Sequence, residues 1–572
     1  MILTNLFNQW KHFLFITIFL LVVFILAIGI WYSPILFKGY SPSAPSADSI
    51  LAHNLYENNF YSVENNINIV LSSSLVKDEG ILSAKGNKLT PLLYSKMFDF
   101  IGLPQANHLI LFSIFINALV LVIFTGLIFH LFNFKTAFVF SLVYILLPFN
   151  WQSPYFISSY EFALLFLSLF FFLFFYGLKN KYNYICLPIS GIFLILACLS
   201  RESLFLIAPF LLLFLWFKKQ KKPLFYIFIP FMIIFAIFWL PNVAHNSYLQ
   251  LFTTHVSEQN KGTDFSYYGH IYPDPYTYHF GQEEFLTDLQ NKIDNNEIVL
   301  MEELYKIKRL KNMGIVDISL FDRARIGLTI SSRHIFRFVS LEDTGGPFIL
   351  FLIFLGLYSL RQKNKYLYQF FIYWIISTIF LMSFIVLVGR NHLIDFNWAI
   401  TLLISLGLIF LIKLFSNYFN LKKKKQVFLY IALLFIVIYH LILVNHVAWS
   451  RIYDNSHSLM IQSYGQEIKK LNINDKDIIA VGLDSVSVYS LNYLTNKSVV
   501  IFRSETVADL LEDNKLDWAF EQFGVKYILG YSDELTGKII NQTKVVNVAS
   551  NSLKPIIPEM SRNKGWLMNL VN

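Results

Sequence analysis

Long apolar runs separated by polar segments cover most of the chain. Eleven runs are apolar enough to form membrane helices, at residues 13–32, 108–132, 136–151, 159–178, 183–200, 203–217, 223–241, 347–360, 366–388, 393–414 and 427–446. A helix needs roughly 20 apolar residues to cross about 30 Å of hydrocarbon. The pattern therefore predicts a polytopic α-helical membrane protein. The small-residue stretch PSAPSA lies well beyond the first run, which favours an uncleaved anchor over a cleaved signal peptide.

Three polar segments are too long to be simple connections between helices, namely 33–107, 242–346 and 447–572. In the first, the helical spacing of PLLYSKMFDFIG predicts a helix on the membrane face. In the last, the β-branched runs DIIAVG, KSVVIF and VKYILGY alternate with the helical stretches ETVADLLED and LDWAFEQF. This alternation predicts a small α/β domain. The chain thus divides into a membrane domain, 1–446, with loops 33–107 and 242–346, and a tail domain, 447–572.

Lysine and arginine are concentrated on one side of the predicted helices. Short loops that stay in the cytoplasm retain these residues, and the short segments that carry them contain no acid. The distribution predicts a cytoplasmic N-terminus, with the three long polar segments, including the tail domain, outside the cell membrane. The residues on the predicted cytoplasmic side are Lys11, Lys135, Lys179, Lys181, Lys218, Lys219, Lys221, Lys222, Arg361, Lys363, Lys365, Lys413 and Lys422 to Lys425.

Composition supports a lipid environment and excludes several classes of partner. Of the 572 residues, 55% are hydrophobic and 15% are charged, which is too little polar surface for an ordinary soluble protein. The net charge of +9 follows from the one-sided lysines, and we identify neither a basic domain nor a nucleic-acid-binding motif. The two cysteines, Cys186 and Cys198, share one predicted helix, so they cannot build a cysteine metal site.

Four charged residues lie at helix ends on the predicted outer face, where charges close to hydrocarbon indicate function. They are Asp48, Glu161 in SSYEFALLF, Arg201 in LSRES and Arg390 in GRNHLIDF. Each also has a structural interpretation. Asp48 can cap the helix that follows it, Glu161 and Arg201 can form a structural ion pair, and Arg390 with His392 can anchor the interface.

The second long loop contains five tyrosines in YYGHIYPDPYTYHFGQEE. Their large amphipathic rings can stack on sugar faces or pack at the membrane interface. His270 and His279 in the same loop lack a standard metal-ligand spacing, so no metal site is assigned, and a divalent cation is left open as a cofactor. The tyrosines are Tyr267, Tyr268, Tyr272, Tyr276 and Tyr278.

The order of several weak motifs resembles the GT-C membrane glycosyltransferases. The motifs are DSILAHNLYENNFYS after one anchor helix, KLTPLLYSKMFDFIG, SYEFALLFLSL, SGIFLILACLSRES, GRNHLIDFNWAITLL and the late FGVKYILGY. They are most similar to the protein mannosyltransferase and lipid A aminoarabinose transferase branch. Asp48, Ala52, Asn54, Leu55 and Pro91 match that branch's first external loop. The late arginine motif departs from it, because Asn391 or His392 stands where tyrosine is usual and the prolines are absent.

The resemblance implies an inverting transfer of sugar from a polyprenyl-phosphate donor to a lipid, glycan or protein acceptor outside the membrane. It implies Asp48 as the general base that takes the proton of the acceptor hydroxyl. Arg201 and Arg390 are then the phosphate-binding residues, because the arginine fork fits phosphate oxygens. Supporting or substrate-binding roles fall to Glu161, Glu202 and His392. The first three tyrosines of the second loop, Tyr267, Tyr268 and Tyr272, are the candidates for sugar stacking.

Other functions fit parts of the same pattern. A polysaccharide polymerase or ligase also carries large outer loops and arginines, and it joins two lipid-linked glycans. A transporter has many helices and buried charges, but the hydropathy shows no pairing of two halves and few charges at mid-membrane depth. A non-enzymatic scaffold requires all the outer acids to be helix caps. Sugar release from a polyprenyl-phosphate donor distinguishes these classes.

Overall fold

The computed structural model describes ten helices of the membrane domain and a small sheet with three helices in the tail domain. The described stretches are 89–101, 106–147, 159–179, 183–201, 207–243, 347–385 and 396–419, and, with short gaps, 478–548. Residues 204, 205 and 328 are also described, as are some residues within 425–439 and 464–469. The predicted first span, 13–32, lies outside these residues, as does most of the last, 427–446.

The membrane helices begin and end close to the limits that the apolar runs predict. In chain order they are α1 (Leu89–Ile101), α2 (Ala106–Leu131), α3 (Phe134–Leu146), α4 (Ser159–Lys179), α5 (Asn183–Ser200), α6 (Ile207–Phe217), α7 (Lys221–Val243), α8 (Pro347–Lys363), α9 (Lys365–Ile385) and α10 (Asn397–Tyr418).

Helices α2 to α10 correspond to nine of the eleven predicted runs, so the prediction of a polytopic helical membrane protein is confirmed. Within the described residues, four helices are long and apolar enough by themselves to cross a membrane: Ile114–Leu131, Glu161–Lys179, Asn183–Ser200 and Asn397–Tyr418. Helix α1 covers the stretch PLLYSKMFDFI, in which the sequence predicts a helix, and it begins two residues before Pro91.

Aromatic side chains form much of the core of the membrane domain. Trp398 of α10 is fully buried and stacks on Phe124 of α2, with ring centroids 5.4 Å apart. It also contacts Phe171 of α4 at 4.8 Å. Phe370 of α9 packs on Phe171 at 5.9 Å. Burial of such large rings dominates core energetics, and these contacts join α2 and α4 to α9 and α10, which lie more than 180 residues later in the chain.

Glycine allows helices α8 and α10 to approach until their backbones touch. A Cβ atom added at Gly356 would lie 1.9 Å from the Leu403 carbonyl oxygen, and one added at Gly407 would lie 1.9 Å from that of Leu352. Small residues at a crossing permit this approach, and the close packing that results favours helix association in membranes. Gly191 likewise allows α5 to approach α7 closely. A Cβ atom added at Gly191 would lie 2.1 Å from the Ile227 carbonyl oxygen.

The basic residues gather at one end of the helix bundle. His130, in the last turn of α2, contacts Tyr176 near the end of α4 at 5.1 Å. Lys218, after α6, donates to Gln369 near the start of α9. Lys363, at the end of α8, is close enough to Lys135 for the two charges to repel each other. Within the described membrane helices no Asp or Glu lies at this end. We call it the basic end.

The tail domain has a parallel four-stranded sheet, which confirms the predicted α/β fold. Its elements are β1 (Ile478–Val481), β2 (Ser498–Ile501), α11 (Ser504–Glu512), α12 (Leu516–Phe523), β3 (Val525–Leu529), α13 (Asp533–Gln542) and β4 (Asn547–Val548). The strand order is β2-β1-β3-β4, and β1 pairs with β2 from Ile478 opposite Ser498. The boundary at residue 447 stays a prediction.

Candidate functional site

Glu161 lies at the end of the bundle opposite the basic end. It occupies the first turn of α4, whose last turn carries Lys179. Its side chain is completely buried, and its Oε2 accepts a hydrogen bond from the hydroxyl of Tyr94 in α1. Burial of a carboxylate is costly unless it is hydrogen-bonded or paired. A purely structural position would be filled at lower cost by an apolar or amide side chain, so Glu161 is a candidate for function.

Arg201 lies at the same end, because α5 runs antiparallel to α4 and Arg201 follows its last residue. Its amide donates to the Ala197 carbonyl oxygen at 2.9 Å, and its own carbonyl accepts from the Leu204 amide at 3.1 Å. These bonds hold the backbone on both sides of the residue. Only 6% of Arg201 is exposed, so its guanidinium is held within the protein rather than extended into water.

Helix α1 connects the two charged positions. The Thr90 hydroxyl donates to the carbonyl oxygen of Ser200 at 3.4 Å, directly before Arg201, and Tyr94 donates to Glu161. Thr90 and Tyr94 are four residues apart, so they are neighbours on one face of the helix. Both are fully buried. One face of α1 therefore spans the ends of α4 and α5 that lie opposite the basic end. Glu161 and Ser200, the residue before Arg201, contact adjacent turns of that helix.

Aromatic rings exclude water from the Tyr94–Glu161 hydrogen bond. The Tyr94 ring meets Phe162 edge-on at 5.2 Å and Phe112 at 6.0 Å. In such a low-dielectric setting a hydrogen bond is electrostatically stronger than in water. The site thus offers a buried, oriented carboxylate and a nearly buried arginine at one end of the bundle.

Sequence reasoning placed Glu161 and Arg201 at one depth, and the structure brings them together laterally through α1. It missed Thr90 and Tyr94, although polar residues at i and i+4 on the KLTPLLYSKMF helix were a usable signal. The remaining predicted site residues lie outside the described part of the chain: Asp48, Glu202, Arg390, His392, Tyr267, Tyr268 and Tyr272. Among the described residues, no group of three or more His, Cys, Asp or Glu could hold a metal ion.

The tail domain has a second place where a ligand site could be sought, at the carboxyl ends of its central strands. In a doubly wound sheet, ligands bind at the carboxyl ends of the strands where the order reverses, here between β1 and β3. At that point the Gly482 amide donates to the Leu529 carbonyl oxygen at 3.0 Å. The Tyr531 ring lies against Gly482, and the Tyr464 hydroxyl lies against Gly530, whose φ is +83°. Two buried tyrosines, Tyr464 and Tyr531, therefore lie beside the carboxyl ends of β1 and β3.

No protein-family model and no curated protein sequence matches the chain. Solved structures do. The chain is similar to the oligosaccharyltransferase of Archaeoglobus fulgidus in complex with Zn and sulfate, with a TM-score of 0.53 and 12% identity, over 89% of this chain and 67% of that one. The chain is also similar to the archaeal oligosaccharyltransferase AglB from the same organism, in complex with an inhibitory peptide and a dolichol-phosphate. The TM-score is 0.52 at 10% identity, over 91% of this chain and 69% of that one.

A third similar structure is ArnT from Cupriavidus metallidurans bound to undecaprenyl phosphate, with a TM-score of 0.49 and 10% identity over 92% of this chain and 89% of that one. At identities this low the likeness is one of fold alone, and the two archaeal structures carry it. The chain therefore has a polytopic helical membrane fold like that of the two archaeal oligosaccharyltransferase structures. The fold that the resemblance implied is thereby confirmed.

Proposed function

We propose that the protein is a membrane glycosyltransferase that moves a sugar from a polyprenyl-phosphate donor to an acceptor on the outer face of the membrane. The observation that carries the proposal is the joining of a buried acid and a nearly buried arginine, Glu161 and Arg201, at the end of a GT-C fold opposite the basic end. By the positive-inside rule the basic end is cytoplasmic, and we therefore assign the site to the outer end of the bundle.

The reaction is an inverting displacement. The acceptor oxygen attacks the anomeric carbon, the bond from that carbon to the phosphate oxygen breaks, and the polyprenyl phosphate leaves with the bonding electrons. Asp48 takes the proton of the acceptor hydroxyl as general base. Arg201, with Arg390, binds the phosphate that gains charge, because guanidinium groups bind phosphate oxygens in a bidentate way. No covalent enzyme intermediate is required.

The remaining residues have supporting roles in this proposal. Glu161, Glu202 and His392 bind hydroxyl groups of the sugar or the acceptor, and Tyr267, Tyr268 and Tyr272 stack on sugar rings. One of the two archaeal structures was solved in complex with a dolichol-phosphate, which supports a lipid-phosphate carrier in general terms. The acceptor class is a lipid, a glycan or a protein.

Purified protein in lipid nanodiscs, supplied with radiolabelled polyprenyl-phosphate sugars, tests the proposal. The expected result is release of unlabelled polyprenyl phosphate, with the label moved to one of three acceptor pools: a lipid, a lipid-linked glycan or an extracytoplasmic protein. Transfer only onto a lipid-linked glycan identifies a polymerase or ligase within the same chemistry. In sealed proteoliposomes, movement of intact labelled donor across the bilayer without release identifies a transporter instead.

A further inference from the structure

The Tyr94 hydroxyl is a polar group that the proposed reaction does not yet use, although it is fully buried and bonded to Glu161. A tyrosine required only to fill space would serve equally well as phenylalanine. Its ring already packs edge-on against Phe162 and Phe112. The hydroxyl therefore needs a separate explanation, and its bond to the carboxylate is the direct one.

Two features distinguish this bond from a general attachment of α1. The neighbouring bond, from Thr90 to the Ser200 carbonyl, already fixes the same face of α1 one turn earlier. It ends on a backbone carbonyl, which has no conformational freedom of its own. The Tyr94 bond ends instead on a side chain that can rotate about its χ angles, so it selects one position of the Glu161 carboxylate.

A carboxylate has two oxygens with about four acceptor positions, so accepting from Tyr94 leaves Glu161 able to accept from a substrate hydroxyl. The energetic value of such a contact depends on position, because a displacement of about 1 Å can reduce a rate by about a hundredfold. A buried donor that fixes the acid before substrate arrives supplies that precision.

We propose that Tyr94 is a positioning residue, which holds the Glu161 carboxylate where it receives a hydroxyl group of the sugar or the acceptor during transfer. This inference rests on the proposed glycosyl transfer. Tyr94 acts through Glu161 and does not itself touch the reacting atoms.

The test compares Tyr94→Phe, Glu161→Gln and Thr90→Val, with single-turnover transfer from the radiolabelled donor that the wild-type protein uses in nanodiscs. Affinity for undecaprenyl phosphate and the melting temperature are measured in parallel. Thr90→Val is the matched control, because it removes the adjacent hydrogen bond of the same helix face and leaves Glu161 untouched.

We expect Tyr94→Phe to lower the transfer rate by about tenfold to a hundredfold while affinity for undecaprenyl phosphate stays within about twofold of wild type. Thr90→Val should lower the melting temperature and should reduce the transfer rate of its folded fraction much less than Tyr94→Phe does. Because Tyr94 acts through Glu161, adding Tyr94→Phe to Glu161→Gln should change the rate little further, which is the non-additivity expected of residues in one hydrogen-bonded unit.

The inference is overturned if Tyr94→Phe and Thr90→Val lower the rate equally, since both bonds would then only hold α1 in place. It is equally overturned if the Tyr94→Phe and Glu161→Gln effects multiply, or if Tyr94→Phe transfers at the wild-type rate. A folded wild-type protein that transfers from no polyprenyl-phosphate sugar overturns the proposed function itself, and with it this role for Tyr94.

Discussion

The backbone contact between α8 and α10 leads to a prediction about stability. Replacing Gly407 with alanine puts a Cβ atom 1.9 Å from the Leu352 carbonyl oxygen, where ordinary contacts are 3.4 Å or longer. The difference is 1.5 Å, and the obstacle is backbone, which cannot rotate away as a side chain can. The two helices must therefore separate at their crossing, and the buried contacts on either side of it are loosened.

Overpacking of a well-packed core usually costs about 1–3 kcal/mol, and we expect Gly407→Ala to fall in the upper part of that range. Gly356→Ala should behave similarly, since its Cβ meets the Leu403 carbonyl oxygen at the same 1.9 Å. Because both substitutions separate the same crossing, the double variant should lose less than the sum of the single losses. Thermal unfolding in detergent, followed by tryptophan fluorescence, measures the effect.

Gly537→Ala is the control, because its added Cβ meets nothing within 4 Å. It lies inside α13, where alanine is intrinsically better than glycine by about 0.5–1 kcal/mol, so this variant should be neutral or slightly stabilised. If Gly407→Ala unfolds at the wild-type temperature while remaining monodisperse, the close crossing of α8 and α10 is wrong.

Three further predictions concern the ends of the bundle and the tail domain. Reporter fusions after residue 220 should report the cytoplasm and fusions after residue 500 the outside; the reverse result contradicts the sidedness of the site. Arg201→Ala should weaken binding of undecaprenyl phosphate strongly, and Arg201→Lys should restore it only in part because a point charge lacks the bidentate fork. If folded Arg201→Ala binds undecaprenyl phosphate with unchanged affinity, Arg201 has only a structural role. Burial raises the pKa of Tyr464, so the unfolded state ionises first above about pH 10. The stability that neutral Tyr464 contributes is thus present below that pH and is lost as the pH rises through the raised value. Chemical denaturation should show a loss of tail stability at alkaline pH that is smaller in Tyr464→Phe.

The fold was predictable because lipid imposes a simple rule on the sequence. A helix must supply an apolar run of fixed length, and nine of the runs became α2 to α10 with limits within a few residues. Helix α1 and the strands β1 to β3 followed from local periodicity in the same way. The order of the sheet, with β1 between β2 and β3, is set by packing among distant segments, and the local pattern does not encode it.

The sequence predicted at which end of the helices the site residues lie, but it did not predict which helices are neighbours there. Topology alone placed Glu161 and Arg201 at one end of the helices, but hydropathy does not determine which helices are neighbours. The contact through Thr90 and Tyr94 depends on how α1 lies across α4 and α5. The close approach at Gly356 and Gly407 was missed for the same reason, because a glycine inside an apolar run is read only as a small apolar residue.

Asp48→Asn tests the central claim most directly, because asparagine caps a helix almost as well as aspartate but cannot accept a proton. Transfer from a radiolabelled polyprenyl-phosphate sugar is measured together with undecaprenyl phosphate binding and the melting temperature. We predict a folded variant with wild-type melting temperature and carrier affinity, and a transfer rate lower by about a hundredfold to ten-thousandfold. Near-normal transfer by Asp48→Asn, together with a lowered melting temperature of Asp48→Ala, would show that Asp48 is a helix cap and contradict its role as the general base.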